Sequence, residues 1–323
     1  MKNLGQINIL MSVYNGEQFL PEQLESLAAQ RNCPDWTLLW RDDGSSDRSV
    51  EILSDFKGAR RVIDDQTRLG PAISFLRLLE AANDDADAFA FCDQDDVWLP
   101  DKLSRAWQWL SSQPLDRPAL YFGRQHLVDP RLRPISLSPA FRRPPGFCNA
   151  LAQNIAAGCT VMMNAAARKL IVAAPPPPQG SMHDWWTYIL VSGAGGAMRA
   201  DNRPVILYRQ HKNNAVGANA SLIRRTISAF KRGPEQFVAI FQAHLDALNL
   251  IHPLLSPEAR ESLSLLQSLR ELPRLTRIQR LSASGLYRQH FVEDLFLRGM
   301  FLMVGSAKTY PNAETTKGWE VPK

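Results

Sequence analysis

Three carboxylates fall within four residues at Asp93-Gln94-Asp95-Asp96, directly behind the short apolar run Phe89 to Cys92. Carboxylates packed this closely repel one another and are costly to desolvate. A divalent cation relieves both problems, and oxygen ligands of this kind suit Mg²⁺ or Mn²⁺. The competing reading is a solvated acidic turn leading into the helix that Asp101 and Lys102 begin. The second candidate is Asp184 in His183-Asp184-Trp185-Trp186. A carboxylate at a helix N-terminus is favoured there and can take a proton from an acceptor hydroxyl. It can equally be a plain N-cap, with the two tryptophans either flat platforms for sugar rings or core packing. His211 ends a further strand, and its neutral imidazole can give the same metal a nitrogen ligand. A lone histidine is more often structural.

These residues need elements to hold them. Ile7 to Val13 reads as a strand closed by Tyr14-Asn15-Gly16, and a helix follows with Phe19, Leu20, Leu24 and Leu27 at helical spacing. Trp36 to Trp40 is a second strand, ending at Asp42-Asp43-Gly44-Ser45-Ser46-Asp47. A helix from Arg48 to Phe56, a weak strand from Arg61 to Asp64, a turn at Arg68-Leu69-Gly70-Pro71 and a helix from Ala72 to Ala82 come next. The Phe89 strand is therefore the fourth in a β-α-β-α-β-α-β alternation. That pattern predicts a parallel sheet with helices on both faces, whose ligands bind outside the carboxyl ends of the strands. Tyr14-Asn15, Asp42-Asp43 and Asp93 to Asp96 would then share one sheet edge. A carboxylate there can accept the N3–H of a pyrimidine, and a metal can stabilise a departing nucleoside diphosphate, as a sugar nucleotide requires.

Further along, the sequence predicts a helix from Asp101 to Ser111, strands at Ala119–Gly123, Gly158–Asn164 and Pro204–Tyr208, and a helix from Ala165 to Ala173. Asp129 to Pro145 is a long loop carrying Arg131, Arg133, Arg142 and Arg143, read as a solvated insertion in preference to a phosphate-touching lid. The prolines from 175 to 178 form a stiff spacer holding the next segment in place. Beyond Ser221 the pattern is almost wholly helical: Leu222–Lys231, Pro234–Ile251, Pro257–Leu272, Arg274–Leu281 and Tyr287–Phe301. A boundary near residue 218 divides a catalytic domain, 1–218, from a helical C-terminal region, 219–323. Acceptor binding, membrane-surface contact and homodimerisation are the roles open to that region; the basic helix at Arg224 and Arg225 is read as a solvated face in preference to one lying on an anionic membrane.

The chain has 323 residues, 45% hydrophobic and 21% charged, with a net charge of +5. This balance suits anionic ligands but is too weak to argue for nucleic acid. Cys33, Cys92, Cys148 and Cys159 lack CxxC spacing and read as free thiols of a reducing compartment. No signal-peptide core and no run of membrane-spanning length is present, so the expectation is a cytoplasmic protein, with contact to the inner face of the cell membrane left open.

Five segments stand in an order that resembles the family 2, GT-A-type inverting glycosyltransferases, most of all their bacterial rhamnosyltransferase branch. They are Ser12-Val13-Tyr14-Asn15-Gly16, Asp42 to Asp47, Asp93-Gln94-Asp95-Asp96-Val97-Trp98, His183 to Trp186, and Tyr208-Arg209-Gln210-His211-Lys212-Asn213-Asn214. Two departures from the family pattern are visible: Met11-Ser12-Val13 replaces a Pro-Thr opening, and Arg68 and Ser74 stand where asparagines are usual. The resemblance implies a mostly parallel GT-A sheet with a helical C-terminal region. It puts Ser12, Tyr14, Asp43, Arg68, Asp93 and Gln94 against a nucleotide-sugar donor, Asp95, Asp96 and His211 on Mg²⁺ or Mn²⁺, and Asp184 in the role of catalytic base. It implies dTDP-L-rhamnose as donor and a saccharide or lipid-linked saccharide of surface polysaccharide synthesis as acceptor. A UDP- or GDP-sugar donor and a non-catalytic sugar-binding homologue are the alternatives.

Overall fold

The computed structural model describes residues 5–63, 67–82, 85–211, 234–267, 269 and 272–303. Its first half runs β1 (Gln6–Val13), α1 (Leu20–Ala28), β2 (Asp35–Asp42), α2 (Ser49–Asp55), β3 (Ala59–Ile63), α3 (Pro71–Ala81) and β4 (Ala88–Cys92). There follow β5 (Val97–Trp98), α4 (Lys102–Leu110), β6 (Ala119–Val128), β7 (Pro134–Leu137), α5 (Phe147–Ala152), β8 (Met162–Asn164), α6 (Ala165–Ala173), α7 (His183–Gly193) and β9 (Ala197–Arg209). Four helices close the described chain: α8 (Pro234–Leu250), α9 (Pro257–Leu266), α10 (Arg274–Ala283) and α11 (Phe291–Met303).

The strands form one sheet in the order β3-β2-β1-β4-β8-β6-β9-β5, with β7 on β6. β1, β2, β3 and β4 are mutually parallel, as the β-α-β alternation demands. β8 runs antiparallel to both β4 and β6, and β9 returns parallel to β6. The sheet as a whole is thus mixed, with its parallel portion gathered in the first half of the chain. The strand order reverses between β1 and β4, which is where an open α/β sheet binds its ligand. Met11 faces Cys92 in that register, so residues 12–16 emerge beside residues 93–96.

Both faces are buried, and β1 alternates accordingly. Ile7, Ile9 and Met11 pack with Leu24, Leu27, Leu103 and Leu110 on one side. Leu10 joins Phe75, Leu78, Phe89 and Phe91 on the other, a cluster that continues through Leu151, Trp186 and Ile189 into Val238, Phe241, Leu245, Leu263, Leu281 and Leu297. The C-terminal helices therefore share their core with α3, α5 and α7.

Two segments differ from the sequence expectation. Gly158–Thr160 is a single 3-10 turn, and only Met162–Asn164 is strand. The 129–145 segment contains β7, hairpinned onto a β6 that extends to Val128. Arg143 serves no phosphate lid: its guanidinium lies 2.7 Å from Asp294 and stacks 4.1 Å over Tyr287, tying the segment to α11. The predicted helix Leu222–Lys231, with Arg224 and Arg225, lies outside the described residues, as does the tail from 304.

Candidate active site

The strand order brings Asp93, Asp95, Asp96, Asp184 and His211 together. The His211 ring nitrogen Nε2 lies 2.8 Å from Asp95 Oδ2, joining the end of β9 to the turn after β4. Asp96 is fully buried; its Oδ1 accepts the Arg209 backbone N–H at 3.2 Å, while Oδ2 has no hydrogen-bond partner. Ligand atoms of Asp93, Asp96 and Cys159 all lie within 4.8 Å of one another. Burial, and then the neighbouring charges of Asp95 and Asp184, push the Asp93 carboxyl up to about 7. Burial and the charges of Asp95 and Asp93 also raise Asp96 well above the usual carboxylate range. So many mutually opposed carboxylates are a standing demand for a cation. Asp95 and His211 offer an oxygen and a nitrogen, which suit Mn²⁺ or Mg²⁺ better than the thiol of Cys159 does.

A buried lysine lies beside them. Lys102 is 1% exposed, its Nζ sits 2.9 Å over the centre of the Trp98 ring, and it has no hydrogen-bond partner. Burial pushes its ammonium down to about 7, against the opposing pull of Cys92, Cys159, Asp96 and Asp93.

The other predicted donor residues line the adjoining edge, and most have partners within the protein. Asp43 accepts the Leu69 and Gly70 N–H groups at 2.7 and 2.9 Å and an Arg41 Nη1 at 2.6 Å. It therefore fixes the turn after β3, on which Arg68 stands. Ser12 donates to Ser74 Oγ at 2.7 Å, and Arg41 donates to the same oxygen at 3.0 Å. The Gln94 amide is spent on the Tyr14 backbone: the Tyr14 N–H donates to Oε1 at 2.8 Å and Nε2 donates to the Tyr14 carbonyl at 2.9 Å. Gln94 thus clamps β1 to β4 across the switch point. Gly16 permits this, because a Cβ there would lie 2.7 Å from Gln94 Oε1. Tyr14 and Arg68 remain exposed, with the guanidinium 4.2 Å over the phenol ring.

Asp184 approaches from the other side. The N-cap of α7 is Met182, so Asp184 lies inside the first turn and is not the cap. Its Oδ2 accepts the Gly158 N–H at 2.9 Å and its Oδ1 the Trp185 N–H at 2.6 Å. A carboxylate has about four lone-pair sites, so each oxygen keeps acceptor capacity for a hydroxyl. The 3-10 turn carries Gly158, which holds Asp184, and Cys159, which faces Asp93 and Asp96; it is the bridge between Asp184 and the acidic cluster. Trp186 is wholly buried, with Nε1 donating to the Pro175 carbonyl at 2.8 Å, which makes it core and not a sugar platform. Trp185 is half-buried and donates to the Ala150 carbonyl at 2.7 Å.

Comparison with known proteins agrees with this geometry. Residues 8–169 match the sequence profile described as Glycosyl transferase family 2. The chain is a family 2 glycosyltransferase. It is 28% identical over 228 residues to the dTDP-rhamnosyl transferase RfbG of Shigella flexneri, covering 65% of this chain and 75% of that one. Over 106 residues it is 35% identical to an uncharacterized glycosyltransferase of Haemophilus influenzae, covering 32% and 41% of the two chains. Its fold is similar to that of S. aureus TarS 1-349 in complex with UDP-GlcNAc, with a TM-score of 0.54 at 15% identity over 91% and 92% of the chains. The glycosyltransferase thus has the GT-A architecture with added C-terminal helices.

The structure places at this site several residues that the sequence did not single out. Arg209 was visible only as a letter between Tyr208 and His211. Its Nε donates to the Asp95 carbonyl at 2.9 Å, Nη1 to the Pro130 carbonyl at 2.6 Å and Nη2 to the Glu22 carboxylate, over the face of Phe19. Phe19 in turn stacks on His211 at 4.9 Å. Gly158 carried no signal beyond its residue type. A Cβ there would lie 2.9 Å from His183 Nε2 and 3.4 Å from Asp184 Cβ. His183 cannot retreat, being stacked on Phe75 at 4.2 Å and edge-on to Phe91 at 4.8 Å. Gly158→Ala is therefore expected to lower turnover by about tenfold or more through displacement of Asp184. Steady-state kinetics at saturating donor checks this, and wild-type kcat would contradict it.

Burial also holds two histidines neutral. His183 and His244 are both pushed down from 6.5 to about 4. Above about pH 6.5 neither state of the chain protonates them. As pH falls from 6.5 towards 4 the unfolded chain binds protons that the folded one refuses, so stability is lost over that window, by up to about 3 kcal/mol per histidine. The raised Asp93 carboxyl works in the opposite sense, so a comparison isolates the histidine. His244→Phe is expected to flatten the decline between pH 6.5 and 4.5 in urea unfolding, and parallel wild-type and variant curves would refute the assignment.

Proposed function

We propose that this enzyme is a metal-dependent, inverting rhamnosyltransferase of bacterial surface polysaccharide synthesis. The observation that carries the reading is the meeting of Asp184 with the Asp93–Asp95–His211 group across the Gly158 turn: a base faces a cation-demanding cluster at the switch point of a nucleotide-binding sheet. Asp184 would take the proton from an acceptor hydroxyl as that oxygen attacks the anomeric carbon in a single in-line displacement. A bound Mn²⁺ or Mg²⁺ would supply Lewis-acid stabilisation for the departing nucleoside diphosphate, held by Asp95 and His211 with Asp93 beside them. Asp96, buried and bonded to the Arg209 N–H, would support this pair from below. Tyr14 and Arg68, the exposed pair at the β1 edge, are the surfaces that meet the base, with Ser12 and Asp43 shaping the turn behind them.

The likeness to a dTDP-rhamnosyl transferase supports dTDP-L-rhamnose as donor. A lipid-linked saccharide acceptor at the inner face of the cell membrane belongs to the same proposal. No helix among the described residues is long and apolar enough to cross a membrane. Phe291, Val292 and Leu295 lie exposed on α11, where they would suit peripheral contact.

Thermal-shift titration with dTDP, UDP and GDP, with and without Mn²⁺, tests the reading. The largest Mn²⁺-dependent shift is expected with dTDP. A larger shift with UDP or GDP would reassign the base. Arg209→Lys keeps the charge and loses the fork that fixes Asp95. It is expected to weaken Mn²⁺ binding by about tenfold, read by electron paramagnetic resonance titration; unchanged affinity would remove Arg209 from the site.

A further inference from the structure

The C-terminal helices are more than a neighbouring bundle, because α8 touches the segment that delivers the catalytic base. Gly180, at φ +86°, lies against Ile240 of α8, with the isoleucine Cδ1 3.1 Å from where a Cβ would stand. One helical turn further along α8, His244 is completely buried. Its Nε2 lies 2.8 Å from Ser181 Oγ. Its ring stacks on Trp186 at 5.8 Å with 9° between planes and meets Trp185 edge-on at 4.8 Å. Asp184 therefore lies between two anchored stretches. Ser181 is three residues before it, and the two tryptophans directly follow it. The Pro175–Pro178 spacer adds a fixed floor, with its end residues accepting the Trp186 Nε1 and the Ser181 N–H.

We infer that His244 is a positioning residue for catalysis: through Ser181, Trp185 and Trp186 it sets the direction in which the Asp184 carboxylate points, which gives the C-terminal region a part in the active site. This rests on the reading of Asp184 as the base. The His244–Ser181 bond is the specific element. A buried imidazole that served only as filling would need no hydroxyl opposite its nitrogen, and phenylalanine would replace it. A polar atom at the same reach, such as the Nε2 of glutamine, keeps the bond while changing the ring.

The experiment measures release of dTDP from dTDP-L-rhamnose in Mn²⁺ by the full chain, with Mn²⁺–dTDP affinity measured alongside. His244→Phe and Ser181→Ala are each expected to lower kcat by about tenfold with donor KM within about twofold of wild type. The double variant should be no worse than either single one, since both remove the same bond. His244→Gln should restore kcat to within about twofold of wild type. Wild-type kcat in both His244→Phe and Ser181→Ala, or a His244→Gln variant slower than His244→Phe, overturns the inference in favour of plain packing. Equal losses in kcat and in Mn²⁺–dTDP affinity overturn it as well. If His244→Phe does not fold, Ser181→Ala carries the test alone. Asp184→Asn is run in parallel: turnover retained there defeats the reading of the base, whereas turnover lost there with wild-type Ser181→Ala kinetics defeats only the role of His244.

Discussion

Asp184→Asn is expected to lower the rate of sugar transfer by about 10³-fold or more while leaving Mn²⁺-dependent nucleotide binding within about twofold of wild type. Asparagine has nearly the same shape and keeps an oxygen for the Gly158 or Trp185 N–H, so the start of α7 should hold. What disappears is the ability to accept a proton. The amide also places an NH₂ where a carboxylate oxygen accepted an N–H, at a cost of about 1–3 kcal/mol in local stability, so the melting temperature should fall modestly. The charge removed is one that raises Asp93, and its loss should lower the proton affinity of Asp93. Single-turnover kinetics with measured donor affinity separates these effects. Turnover within tenfold of wild type would remove Asp184 from the role of base.

The second large effect concerns Asp95 and His211. Asp95→Asn removes a negative charge from the cluster and leaves the His211 ring opposite a neutral amide. His211→Ala removes the nitrogen and the ring that stacks on Phe19. Each is expected to abolish most of the Mn²⁺-dependent part of the nucleotide thermal shift and to lower turnover by about 10² to 10³, the several kcal/mol that a Lewis acid supplies to a departing phosphate. Metal-independent binding through the Tyr14 and Arg68 edge should persist. A Mn²⁺-dependent shift of wild-type size in Asp95→Asn would show that the cation is held elsewhere, with Asp93, Asp96 and Cys159 as the remaining donors.

The parallel half of the sheet was legible because β4 is a continuous apolar run and β1 a mostly apolar one, each ended by turn residues, the pattern of strands buried on both faces. The ends of β2 and β4 carried the acidic groups, so the site's edge was legible with them. β9 was legible only over Pro204–Tyr208. Its first residues, Ala197 to Asn202, have little strand preference of their own and are strand because β6 pairs with them along its whole length. Gly158–Thr160 reads as the start of a strand, but the Val161 N–H turns back to the Gly158 carbonyl at 2.9 Å. That turn is what brings Asp184 to Asp93, and no local pattern announces it. Residue type alone left two roles open for Trp186, and burial against His244 selects core packing; the Gln94 amide bonds to the Tyr14 backbone, a partner that only the fold reveals. Arg209 and Lys102 are likewise legible only in three dimensions, the first through its bonds to Asp95, Pro130 and Glu22, the second through burial over Trp98 beside the acidic cluster.

The most direct test of the account is a donor panel. Purified enzyme is incubated with dTDP-L-rhamnose, UDP-glucose and GDP-mannose in Mn²⁺, and again after chelation with EDTA, and the released nucleotide is quantified. Release of dTDP from dTDP-L-rhamnose is expected, with that release lost on EDTA treatment and lost in Asp184→Asn. Release that survives both chelation and Asp184→Asn, or a nucleoside monophosphate in place of the diphosphate, would contradict it.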